Sequence, residues 1–214
     1  MQPNPDRPSG LEVFAPLDAV HVRRHGPRGY VDDEHYKPWL RDEFTYRCLY
    51  CGCREVWFPD GDRSFNVEHL RPTSLAPEGL TDYDTLVYAC CQCNAARGAI
   101  LLPLDPTAGM RQHLEVSADG TIRGLTPAGA DFIRICRLDR PNLVAFRRLI
   151  LDVLRLLGRK RDREAAELRR RYLGYPANLP DLSALKPPGG NSCPEGIERS
   201  AFARRERGDL PEVY

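Results

Sequence analysis

The chain has 214 residues, 42% of them apolar and 29% charged, with 31 Lys and Arg against 30 Asp and Glu. That composition fits one or two folded domains with a real core and excludes a disordered chain. No apolar run approaches the roughly eighteen residues a bilayer needs, and Met1-Gln2-Pro3-Asn4-Pro5 lacks a signal peptide's basic-then-apolar layout, so a cytoplasmic protein with no membrane partner is expected.

In that compartment thiols stay reduced, so eight cysteines point to metal binding before disulfides. The net charge of +1 hides a separation of sign. Residues 134–171 carry thirteen basic and five acidic side chains, whereas residues 1–133 carry thirteen and nineteen. A basic segment of this kind suits a polyanion partner, and equally a solvated helical face.

Four segments follow in chain order. Residues 1–35 form an N-terminal extension, and the prolines among the first ten predict a loose end. Residues 36–103 are the expected core. Within them, Tyr36–Phe44 reads as a short helix with Pro38 in its first turn and Trp39, Leu40 and Phe44 facing inward. Phe65–Leu70 and Thr85–Ala89 read as strands, and Cys93–Gly98 as a short helix closed by glycine.

Residues 104–174 bring a hairpin and a basic helical extension. Asp119-Gly120 is the turn between His113–Ser117 and Thr121–Arg123. Thr126-Pro127 caps a helix over Ala128–Cys136. After Pro141, the spacing of Leu143, Phe146, Ile150, Val153 and Leu157 predicts one apolar helix face, and a second, basic helix runs to about Tyr172. Residues 175–214, with six prolines and four glycines, predict an extended tail.

Cys48-x-x-Cys51 and Cys90-x-x-Cys93 are matched knuckles. Each lets two thiolates converge from a tight turn, and two knuckles complete the closed tetrahedral shell of a structural zinc. The alternative is a set of unrelated buried thiols. Cys53 and Cys91 lie beside the knuckles and blur the choice of ligand, whereas Cys136 and Cys193 are remote. Between the knuckles stands Glu68-His69, an acid–base pair in which a neutral imidazole can accept a proton from water and a carboxylate can hold a hard cation.

The order Cys48-x-x-Cys51, Val67-Glu68-His69-Leu70-x-Pro72, then Leu86-Val87-x-x-Cys90-x-x-Cys93-Asn94-x-x-Arg97-Gly98 resembles the zinc-supported HNH endonucleases of bacterial restriction and phage defence. The resemblance covers about residues 36–103. It implies an α+β fold with a small ββα-metal core stapled by a four-cysteine zinc. It also implies DNA phosphodiester hydrolysis, with His69 as general base and Glu68 and Asn94 as ligands of a catalytic Mg²⁺ or Mn²⁺. Arg97 would contact DNA phosphate. A companion defence protein such as an ATPase is implied by the resemblance alone.

Two departures stand out. Thr85 occupies the place of the Asn that helps hold the catalytic histidine, and Glu68 is one methylene longer than the usual aspartate. Arginine makes up 28 of the 31 basic residues, and forks such as Arg147, Arg148 and Arg155 are suited to phosphate. The competing reading is a non-catalytic zinc module that binds DNA or a partner protein.

Overall fold

The computed structural model describes residues 10–72, 74, 80–159 and 162–214. The chain divides into two compact units: Val22–Leu49, Cys53–Leu101 and Arg170–Tyr214 make one; Met1–His21, Tyr50–Gly52 and Leu102–Arg169 make the other.

In the first unit a 3-10 turn, Asp33–Tyr36, leads into helix α1, Lys37–Glu43, with Pro38 in its first turn as expected. Trp39 and Leu40 are fully buried, and so are the charged Arg41, Asp42 and Glu43. Each of these buried charges is hydrogen-bonded. Arg41 donates from Nε and Nη2 to both carboxylate oxygens of Glu55, at 2.9 and 2.8 Å, and Tyr88 adds a hydroxyl to Glu55 Oε1.

Asp42 accepts from Tyr46 and from the Ala201 amide and pairs with His25 Nε2 at 2.8 Å. Burial pushes its carboxyl up, but the His25 hydrogen bond and the Arg24 charge outweigh that and hold it below the usual range. Glu43 accepts the amides of Arg24 and His25 and the Tyr83 hydroxyl.

Strands β1, Phe65–His69, and β2, Leu86–Cys90, pair antiparallel, with Phe65 opposite Cys90 and His69 opposite Leu86. Every residue of β2 is buried, as expected of a strand covered on both faces. Helix α2, Cys91–Arg97, starts directly from β2 and stops at Gly98, whose φ of +56° with ψ of −139° suits only glycine. This is a ββα unit.

In the second unit strands β3, Leu114–Val116, and β4, Ile122–Gly124, form the hairpin about Asp119-Gly120. Helix α3, Pro127–Cys136, is capped by the Thr126 hydroxyl, which accepts from the Gly129 amide at 3.1 Å. Helix α4, Pro141–Arg159, buries Leu143, Ile150 and Leu157 as predicted. Phe146 and Val153 are only half-buried, because Arg147 takes the inner position and donates to the Leu138 carbonyl at 2.8 Å. Helix α5 spans Arg163–Leu173, and its residues from Arg170 onward belong to the first unit.

The expected extended tail is instead folded into the first unit, with short helices α6, Glu195–Glu198, and α7, Ala201–Arg207. Asp42 holds the first amide of α7, and Leu179 and Ala201 join Tyr46 in a buried cluster flanked by Tyr175, Phe202, Leu210 and Tyr214. Its helices are short, and each buries one residue, Gly196 in α6 and Ala201 in α7. The expected loose end lies, except for Gly10, outside the described residues, as do Lys160 and Arg161 of the basic stretch. Among the described residues no helix is long and apolar enough to cross a membrane.

Candidate active site

The first knuckle is built by a turn in which Thr45, Tyr46 and Gly52 take positive φ angles of 50°, 56° and 73°. The Cys48 amide donates to the Cys53 carbonyl at 2.9 Å, closing the turn, and the Leu49 amide donates to Tyr88 O on β2. The second knuckle needs no loop: Cys90 ends β2, and Cys93 lies in the first turn of α2.

The sulfurs of Cys48, Cys51, Cys90 and Cys93 all lie within 4.8 Å of one another, and all four residues are buried. A tetrahedral zinc with bonds of about 2.3 Å places its sulfurs roughly 3.8 Å apart, so small side-chain rotations close the shell. The cluster could hold a metal ion, and four thiolates suit zinc. It leaves no open position for a substrate.

His69 is the last residue of β1, with 15% of its side chain exposed. Its Nε2 lies 2.9 Å from the Leu80 carbonyl oxygen and 3.4 Å from Asp33 Oδ2. Glu68, one residue earlier, is buried, and its Oε1 accepts from Arg97 Nη1. The same guanidinium donates to the carbonyls of His69 at 2.6 Å and Leu70 at 2.8 Å. Asn94 is half-buried on α2, next to Cys93 and three residues before Arg97, a spacing that makes Asn94 and Arg97 neighbours on the helix surface.

A carboxylate and an amide oxygen are donors that fit a hard cation, and Arg97 on Oε1 weakens the pull of that carboxylate. Residues 48–99 match the family model described as HNH endonuclease. This segment is an HNH domain. No curated protein and no solved structure matches the chain.

Within the HNH domain, Thr85 does what its hydroxyl allows locally. It donates to Asp82 O at 2.8 Å, while the Thr85 carbonyl accepts from the Leu70 amide and extends the hairpin by one bond. Of the four arginines expected at phosphate, Arg97 and Arg147 are interior. Arg97 is 2% exposed and spent on Glu68 and two carbonyls; Arg147 is fully buried against Leu138 O. This corrects the sequence expectation, and the cause is distance: the partners that bury them come from other elements.

Arg148 and Arg155 are exposed on α4, seven residues apart and hence on one side of it, with Arg155 also paired to Asp152 at 2.5 Å. Asp33 is the residue that sequence reasoning missed. It lies outside the matched segment, next to Asp32, which caps the 3-10 turn by accepting from the Glu34 amide at 3.0 Å.

Proposed function

We propose that the chain is a metal-dependent endonuclease that hydrolyses DNA phosphodiester bonds, in a restriction or antiviral-defence setting. The observation that supports this reading most directly is the succession of Glu68 and His69 at the end of β1 beside a knuckle-led helix carrying Asn94.

His69 takes a proton from water as the water oxygen forms its bond to phosphorus. The opposite phosphorus–oxygen bond breaks, and the departing sugar oxygen takes a proton from solvent. Glu68 and Asn94 would hold Mg²⁺ or Mn²⁺, which when bound supplies neutralisation of the charge developing on the phosphoryl oxygens. Cys48, Cys51, Cys90 and Cys93 would hold zinc, which when bound would tie the first knuckle to the end of β2 and the start of α2. Arg148 and Arg155 are the exposed forks we assign to the DNA backbone, an affinity that falls steeply with salt.

The test is nicking of supercoiled plasmid with Mg²⁺ or Mn²⁺. Wild type converts it to open circle, and His69→Ala lowers the rate by about 10²–10⁴-fold, the usual worth of a general base. Equal rates remove His69 from the reaction. One observation favours the second reading, a zinc module that binds DNA without cutting it: the Glu68 carboxylate is already held by Arg97. Salt-sensitive DNA binding without cleavage under any divalent metal selects that reading.

A further inference from the structure

Among the described residues, two oxygens stand beside Nε2 of the His69 ring, a carbonyl and a carboxylate, and both are hydrogen-bond acceptors. The Leu80 carbonyl oxygen lies at 2.9 Å and Asp33 Oδ2 at 3.4 Å. Nε2 facing two acceptors carries the ring proton. In the neutral ring the lone pair is then on Nδ1. Thr85, at the position where the resemblance places the orienting amide, has its hydroxyl on Asp82 O.

Asp33 is itself well held. It opens the 3-10 turn that ends in Tyr36, and Tyr36 is 1% exposed, with its ring centroid 5.0 Å from that of Tyr30 and 5.6 Å from that of Tyr83. Tyr83 stands two residues before Thr85, so the turn bearing Asp33 is fastened to the start of the same hairpin strand that faces His69. The carboxylate is also reachable, with 32% of its side chain exposed.

We propose that Asp33 is the positioning residue for His69, replacing from 36 residues upstream the amide that Thr85 does not supply. Its carboxylate and the Leu80 carbonyl together fix the tautomer and rotation of the ring, so that Nδ1 presents its lone pair to the attacking water. The inference rests on His69 being the base. A separation of 3.4 Å is long for a hydrogen bond, and such contacts commonly tighten when substrate fills a site.

The test compares zinc-loaded full-length wild type, Asp33→Ala, Asp33→Asn and the exposed control Glu34→Ala, reading plasmid nicking and nitrogen NMR of histidine-labelled protein. In Asp33→Ala, kcat falls about 10–100-fold with KM for DNA within about twofold, the scale seen when a partner orienting a functional imidazole is removed. Asp33→Asn, which keeps an oxygen acceptor, restores most of that loss, and Glu34→Ala behaves as wild type.

In the spectra, His69 is the Nε2–H tautomer in wild type and gains the Nδ1–H form in Asp33→Ala. Unchanged kcat together with an unchanged tautomer in Asp33→Ala overturns the proposal. In a chain that cuts no DNA the base assignment fails first, and the spectra alone then judge Asp33: an unaltered ring overturns its role.

Discussion

Arg97 provides the sharpest test of how the HNH domain is built. Arg97→Ala removes a guanidinium that is 2% exposed and that holds Glu68 Oε1, His69 O and Leu70 O. The Glu68 carboxylate, 6% exposed, then loses its cation. Breaking a buried pair by deleting one partner costs about 3–5 kcal/mol, because the remaining charge is buried without the counter-ion that compensated its desolvation. Taking about 4 kcal/mol, and about 2–4 °C per kcal/mol for a chain of this size, the melting temperature of the zinc-loaded protein should fall by roughly 8–16 °C.

The double variant Arg97→Ala/Glu68→Gln should recover about 2 kcal/mol relative to additivity, since the stranded charge is gone. Thermal melts and denaturant titrations of the four proteins give the coupling directly. A loss below about 1 kcal/mol in Arg97→Ala, joined to weaker DNA binding and a shallower salt dependence, would refute the argument, for that is how a phosphate contact behaves.

Two further outcomes are expected. Metal analysis should find about one zinc per chain, and Cys90→Ser should lose it together with cooperative unfolding, because a structural zinc contributes folding free energy outright; a zinc-free wild type that melts at the same temperature as the loaded protein removes the cluster from the fold's stability. Acid should also report on Asp42. Its folded pKa lies below the ordinary carboxylate value, so the unfolded chain binds the extra proton; the stability it contributes is complete above about pH 4 and is lost as pH falls through the lower folded value. Asp42→Asn should flatten that acid limb in urea titrations, and an unchanged slope would show that the carboxylate is not linked to folding.

What the sequence determined by itself was local. The Cys-x-x-Cys knuckles, the Asp-Gly turn, the first-turn prolines of α1 and α3 and the glycine that ends α2 each depend on a few consecutive residues, whose allowed dihedrals and side-chain reach settle the outcome. Matched knuckles flanking Glu68-His69 were therefore readable as a ββα unit.

Only the tertiary structure decided which charges are inside. Arg97 and Glu68 are 29 residues apart, and Ala201 reaches Asp42 across 159. A charged side chain viewed along the sequence belongs in water, since burying it alone is prohibitive, and it moves inward only where folding brings a partner. The same reason separates Arg147 from Arg148 on one helix, sending the first to a carbonyl in the interior and the second to solvent. It also hides Asp33, whose value lies in its position beside His69 and not in any motif it belongs to.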